Sequence, residues 1–390
     1  MQRRINRALS SAAVIASISL AAAGCAADSG SEGPTAGVAY RDASGNCAAP
    51  PLEGVNYDAA QAFLEPFQQK STGLLVTQQL PKPIDPGTTV AYLDNGSAVS
   101  GLIWSFMETA GQAAGVTMQR VATGTNAQSI NTALSSVVES APDILVAAAT
   151  DATFFQDQLK ALEAAGTTIV YAGSTNAEEF GLLDSLSGHG ASIENGKVLA
   201  ASAVNFTCGT AKEFVFYDVP EFTFSQVQLE AIKGYLPTLC PDCKLRVVSI
   251  PVATMDTTAG DAIVSDLQAH PETQYFMTVA DQMQIGLKAK QELAGIDVPG
   301  IGHSSLPPNV EQIANGLQSA GYAADYNMYT WLLLDEGLRR HMGEKVAYDD
   351  WANVTQHMSR VLTAQNAGEY PHGFVAYPNM VEDFKKLWGK

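Results

Sequence analysis

Four cysteines downstream of residue 40, Cys47, Cys208, Cys240 and Cys243, are the side chains whose spacing points most directly to chemistry. Cys240-Pro-Asp-Cys243 sets two thiols three residues apart, which suits a tight local disulfide or a redox-active pair. No thioredoxin-like βαβ pattern surrounds the pair, and no second clustered pair completes a zinc site. Structural bridging is the preferred reading. In an oxidising compartment the even count gives two disulfides, with the pairing left open. The six histidines are scattered without metal-ligand spacing. G-x-S-x-G, H-E-x-x-H and G-x-x-x-x-G-K-[ST] are all lacking. We therefore expect no enzyme, no cofactor and no metal.

The N-terminus sets the compartment. Arg3, Arg4 and Arg7 form a positive region ahead of an apolar stretch, residues 8–20, too short to span a bilayer comfortably. Ala22-Ala23-Gly24 then precede Cys25, a pattern similar to the bacterial lipobox, whose cysteine is acylated and becomes the mature N-terminus. The usual Leu three residues before that cysteine is replaced by Ala22. Residues 1–24 read as a lipoprotein signal peptide, Cys25 as the lipidation site and residues 25–36 as a flexible tether. The expected location is the extracytoplasmic face of the cell membrane, held there by a lipid anchor. An ordinary cleaved signal with Cys25 incidental is the bland alternative.

Of the 390 residues, 46% are hydrophobic and only 16% charged, with a net charge of −18. The remaining length suits two domains better than one. No basic run follows the signal, which argues against a nucleic-acid partner.

The elements that position any site follow from periodicity. Residues 37–86 are Pro-rich and irregular, with one helical pattern at 57–69, and read as an N-terminal extension over the main body. Residues 88–93 then form a β-branched apolar run, and Val99, Leu102, Ile103, Phe106, Met107, Ala110 and Ala114 share one helical face, stopped by Gly115. Strands are expected at 116–121, 143–149 and 167–171, with helices at 127–138 and from Asp151, a capping residue, to 165. The same grammar restarts: strands at 213–217, 245–251 and 275–279, helices at 225–239, 259–270 and, capped by Asp281, 281–294. Residues 300–302, 311–315 and 319–324 complete the second set. Strand-helix alternation of this kind means an α/β fold with parallel sheets, here doubled into two Rossmann-like lobes facing a cleft.

Three segments carry a family resemblance: TVAYLDNGSAVSGLIWSFMETAGQAAGV (89–116), PDILVAAATDATFFQDQLKALEAAGTTIVYAG (142–173) and AHPETQYFMTVADQMQIGLKAKQELAGI (269–296). In order and pattern the chain resembles the ribose- and galactose-type solute-binding proteins of ABC importers over residues 87–362. The resemblance implies a periplasmic-binding-protein type I fold with a three-segment hinge. Lobe 1 would comprise 87–191 plus 325–352, and lobe 2 192–324 plus 353–390. It also implies a small-molecule ligand, closure about the hinge, ABC permease subunits as partners and a monomeric chain.

Carried over one at a time, the family's contact positions fall here on Asp94, Asn95, Ser97, Gly173, Ser174, Gln228, Ala280, Asp281, His303 and Ser304, with the third-strand Asn replaced by Ala148. Aromatics at expected cleft edges are Tyr92, Tyr171, Phe222, Phe224, Tyr322 and Tyr326, and Asp94, Asn95, Gln228, His303, Asp325 and Asn327 make up an alternative polar set. Sugar hydroxyls need paired partners, and a sugar against Ala148 and Ala280 would bury hydroxyls at about 1–3 kcal/mol each. Two readings stand: a ligand less polar than a sugar, or a sugar or polyol held by a different polar set. A lipoprotein that senses ligand for a receptor is the other alternative to transport. Asp151 and Asp281 also read as helix caps, and Tyr326 as hinge packing.

Overall fold

The computed structural model describes residues 38–42 and 44–390. The expected signal peptide, Cys25 and the tether lie outside the described residues. Among the described residues no helix is long and apolar enough to cross a membrane.

The N-terminal extension carries α1 (Tyr57–Leu64), capped by Asn56, whose side chain accepts from the Ala59 amide. Pro66 ends α-helical pairing, and the pattern expected through residue 69 finishes as a 3-10 turn, Glu65–Gln68.

Lobe 1 follows. It contains β1 (Thr89–Asp94), α2 (Ala98–Ala114), β2 (Thr117–Ala122), α3 (Ala127–Ser140), β3 (Ile144–Ala148), α4 (Gln156–Ala164) and β4 (Thr168–Ala172). The strands pair in parallel in the order β2-β1-β3-β4. Side chains alternate between two cores, as strand geometry requires. Val90, Tyr92, Ile144, Val146 and Val170 face the α2 side, while Ala91, Leu93, Leu145, Ala147 and Tyr171 face α3 and α4. Both faces of β1, β3 and β4 are covered, which is why these strands read as apolar runs, whereas the edge strand β2 is largely exposed.

Lobe 2 repeats the plan: α5 (His189–Phe206), β5 (Glu213–Asp218), α6 (Thr223–Leu239), β6 (Lys244–Ser249), α7 (Ala259–Ala269), β7 (Tyr275–Thr278), α8 (Leu287–Ala294), β8 (Gly300–Gly302) and α9 (Pro307–Ala314). Its parallel order is β6-β5-β7-β8. The hinge strands β9 (Ala320–Ala324) and β10 (Ser359–Thr363) pair antiparallel, Tyr322 opposite Val361. Between them α10 (Tyr326–His341) returns to lobe 1 and α11 (Trp351–Met358) lies beside α5. The chain ends in α12 (Met380–Leu387).

Three features differ from the sequence expectation. The helix expected at 281–294 is a 3-10 turn, Asp281–Gln284, broken at Gly286 before α8 begins. Asp281 therefore caps nothing; its side chain is buried. Asp151 likewise caps a short 3-10 turn, Ala152–Phe154, through the Thr153 amide, and α4 starts afterwards. Third, residues 353–390 do not all join lobe 2. Phe384, Leu387 and Trp388 pack into the α10 side of lobe 1, and Trp388 stacks on Trp331 with ring centroids 5.2 Å apart.

The extension also spans the two lobes. Ala60, Leu64 and Phe67 enter the lobe 2 core, whereas Leu74 and Ile84 enter that of lobe 1. The Cys47–Cys208 disulfide ties its start to the end of α5, and Cys240–Cys243 closes the turn after α6.

Candidate functional site

The cleft is built at the carboxyl ends of the strands, where both sheets reverse order: β1 beside β3 in one lobe, β5 beside β7 in the other. It encloses a cavity of about 170 Å³. Lobe 1 contributes Asn95, Ser97, Val99 and Ile103 from the β1–α2 connection, Ala148 and Ala149 after β3, and Gly173 after β4. Lobe 2 contributes Asn195 on α5, Phe222, Phe224 and Gln228 at α6, Val279 and Ala280 after β7, and His303 and Ser304 after β8. Tyr326, Tyr329, Met358 and Ser359 close the hinge side.

Backbone geometry at the strand ends is unusual. Ala149 and Ser304 have φ of 49° and 66°, and Gly173 has 65°. Left-handed backbone is costly for residues with a Cβ, and it concentrates where a chain must turn sharply beside a ligand. At Gly173 a Cβ would stand 3.1 Å from the Ala149 amide nitrogen, a tight approach at a left-handed position that favours glycine.

Among the described residues, no Asp, Glu, Lys or Arg lines the cleft. His303, the one lining residue able to carry a positive charge, is kept neutral: burial pushes its pKa down to about 4, opposed by the Val279 carbonyl. Its Nδ1 lies 3.3 Å from Gln228 Nε2, and its ring leans on Tyr322 at 5.5 Å. Burial raises the Tyr326 hydroxyl to about 12, so it also stays neutral. The wall is apolar over most of lobe 1 and carries amide and hydroxyl groups mainly on lobe 2 and the hinge. Thr223 Oγ1 accepts from the Thr175 amide at 3.0 Å, joining α6 to the loop after β4.

Of the side chains read from sequence as ligand contacts, Asn95, Ser97, Phe222, Gln228, His303, Ser304 and Tyr326 lie on the cleft wall. Asp94, Ser174, Asp281 and Asp325 do not, and each has a structural task. Asp94 pairs with Arg120 at 2.5 Å and receives the Gly96 amide at 2.9 Å. Burial pushes its carboxyl up, yet the Gly96 amide, Ser100 and Arg120 together hold it below the usual value. Ser174 is buried with its hydroxyl toward the Thr150 carbonyl. Asp281 is fully buried and accepts from Ser305 at 2.5 Å, Gln284 at 2.7 Å and Gln318 at 2.8 Å. Burial still raises its carboxyl to about 7. Asp325 caps α10 through the Met328 amide and accepts from Ala376 at 2.7 Å, knotting the hinge to the C-terminal tail; burial raises it to about 6. Among the aromatic candidates, Tyr92, Tyr171 and Tyr322 are core residues.

Sequence reasoning missed Asn195, Gln282, Tyr329, Thr355 and Met358. Asn195, Tyr329, Thr355 and Met358 sit on segments with no motif, and the fold alone brings them to the cleft, whereas Gln282 lies within the 269–296 segment beside Asp281. Among the described residues no group of three or more His, Cys, Asp or Glu is placed to hold a metal.

The two wound lobes, the antiparallel hinge pair and the cleft at the strand ends define a type I two-lobed binding fold. Residues 92–344 match the family described as periplasmic binding protein domain, and the chain belongs to that family. Comparison with curated proteins finds no match. Solved structures with this fold include the ABC transporter periplasmic solute binding protein of Actinobacillus succinogenes 130z with bound D-allose. It is 15% identical, with a TM-score of 0.60 over 73% of this chain and 100% of that one. The Caulobacter myo-inositol binding protein bound to myo-inositol is similar at 15% identity, TM-score 0.60, over 74% of this chain and 97% of that one. So is a LacI-type transcriptional regulator from Bacteroides fragilis, described as unverified in that role, at 15% identity and TM-score 0.59, over 73% of this chain and 100% of that one. At such identities the likeness concerns the fold alone.

Proposed function

We propose that this chain is the extracytoplasmic solute-binding component of an ABC-type importer, capturing a small neutral molecule between its lobes and catalysing nothing. The observation that carries the reading is a cleft that no Asp, Glu, Lys or Arg lines among the described residues, set where α/β sheets bind ligands. An ionic ligand would be stripped of water there with no side-chain counter-charge to offset the cost. Apolar side chains such as Val99, Ile103, Leu186, Met255 and Met358 favour a ligand less polar than a free sugar. A sugar or polyol is the second reading, favoured by the fold likeness to proteins holding D-allose and myo-inositol. In this reading Asn95, Ser97, Phe222, Gln228, His303, Ser304 and Tyr326 touch ligand, and acylated Cys25 holds the chain at the membrane beside its permease.

The test is a thermal-shift screen of neutral sugars, polyols, alicyclic alcohols and aromatic acids, because bound ligand raises the melting temperature by mass action. Neutral compounds should stabilise the protein. Stabilisation by carboxylates or amines alone overturns the proposal, and stabilisation by monosaccharides alone moves it to the second reading. Deleting the gene should then abolish uptake of the stabilising compound; intact uptake would assign the protein to sensing. Cys25→Ser should release it from membranes.

A further inference from the structure

Two side-chain acceptors in the cleft are left without partners. Gln228 is fully buried and Asn195 nearly so, both line the cavity, and neither Gln228 Oε1 nor Asn195 Oδ1 has a hydrogen-bond partner among the described residues. Buried acceptors are almost always satisfied, so two unmatched acceptors on residues that line one cavity call for a donor from outside the chain.

The orientation of the Gln228 amide follows from its neighbour. His303 Nδ1 stands 3.3 Å from Gln228 Nε2 and 3.2 Å from Ser304 Oγ, and as an acceptor it takes the N–H end of the Gln228 amide. Oε1 is then the end of the amide that stays unmatched. The backbone fixes the pair's separation, because α5 and α6 approach so closely that a Cβ at Gly196 would stand 2.5 Å from the Gln228 carbonyl oxygen. Both acceptors therefore sit on rigid, touching helices of lobe 2. Val99, Ile103 and Ala148 supply the apolar wall of lobe 1.

We infer that the ligand is two-sided: a neutral ring compound presenting hydroxyl or N–H donors along one edge to Asn195 and Gln228, and an apolar face to lobe 1. This rests on the solute-binding reading and names the ligand class within it. A fully hydroxylated ring satisfies the lobe 2 edge but buries its other hydroxyls against carbon. A ring with acceptors only, such as an ether, leaves both amides unmatched. Losing one donor to a buried acceptor lowers affinity about ten- to hundredfold.

The experiment compares matched probes by thermal shift and calorimetry: cis-1,2-cyclohexanediol, its dimethyl ether and myo-inositol. The diol should bind at least tenfold more tightly than either of the others. Asn195→Val should erase the preference for diol over ether while the melting transition stays cooperative, and Gln228→Leu gives the same readout from the second helix. Equal binding of diol and ether overturns the inference and leaves the solute-binding reading standing. Binding of myo-inositol alone overturns the apolar face, and the absence of binding by the diol overturns the inference outright.

Discussion

The Thr175 amide donates to Thr223 Oγ1 at 3.0 Å, so the loop leaving β4 of lobe 1 is pinned to the start of α6 in lobe 2. The bond crosses beside the cleft and links the two lobes. Thr223→Val keeps the branched shape and removes the acceptor. Amide exchange at Thr175 should then quicken about two- to tenfold, the range given by one net hydrogen bond. An unchanged exchange rate would show that the bond does not hold the lobes together.

Asp281 gives the protein a measurable pH response. Its carboxyl is raised to about 7 in the fold, above the ordinary 3.8. The folded state thus binds an extra proton between those values, and the resulting stability is full below 3.8 and lost as pH rises through about 7. Asp325, raised to about 6, acts in the same direction. His303 opposes both: lowered to about 4 from 6.5, it contributes stability above 6.5 that is lost as pH falls through about 4. Comparing Asp281→Asn with the parent chain isolates one of the three. The parent's melting-temperature advantage should shrink steadily from about pH 4 to about pH 7. A constant difference would mean that Asp281 is ionised throughout.

The Gly196 position is a packing test. A methyl group there meets the Gln228 carbonyl at 2.5 Å and the Ala231 methyl at 2.8 Å. Overpacking costs about 1–3 kcal/mol, while the helix propensity of alanine returns at most about 1 kcal/mol. Gly196→Ala should lower the denaturant midpoint. A raised midpoint would show that α5 and α6 can part freely.

The two disulfides should differ sharply in value. Cys47–Cys208 closes a separation of 161 residues and Cys240–Cys243 only 3. In the chain-entropy account, a long loop restricts the unfolded chain more, with typical gains of about 2–4 kcal/mol. Replacing Cys47 and Cys208 by Ser should cost more melting temperature than replacing Cys240 and Cys243. The reverse order would place the stabilising effect in the native turn after α6.

The parallel strands were legible because burial on both faces writes itself as runs such as Ile144–Ala148. The helix α5 was not, because it is buried almost all round and has no polar stripe to set a period. Asp281 illustrates the limit for the site. Its position after β7 suits a cap or a ligand contact, and only the folded positions of Ser305 and Gln318 show that it is consumed in the wall behind the cleft. Asn195 shows the converse: a polar residue without a motif becomes a cleft residue because α5 starts at the hinge.

The paths of the two chain ends have a consequence for assembly. The extension seals lobe 2 before any lobe 2 strand has been made, and α12 seals lobe 1 after every lobe 1 strand is complete. No contiguous stretch of sequence therefore holds a whole lobe. Closing the lobe 1 core draws in α12, far along the sequence, a topology of distant pairings that makes for slow folding. A fragment cut at any interlobe crossing would leave an unclosed core, and evolution could not have exchanged one lobe of this chain as a cassette without carrying the opposite terminus with it.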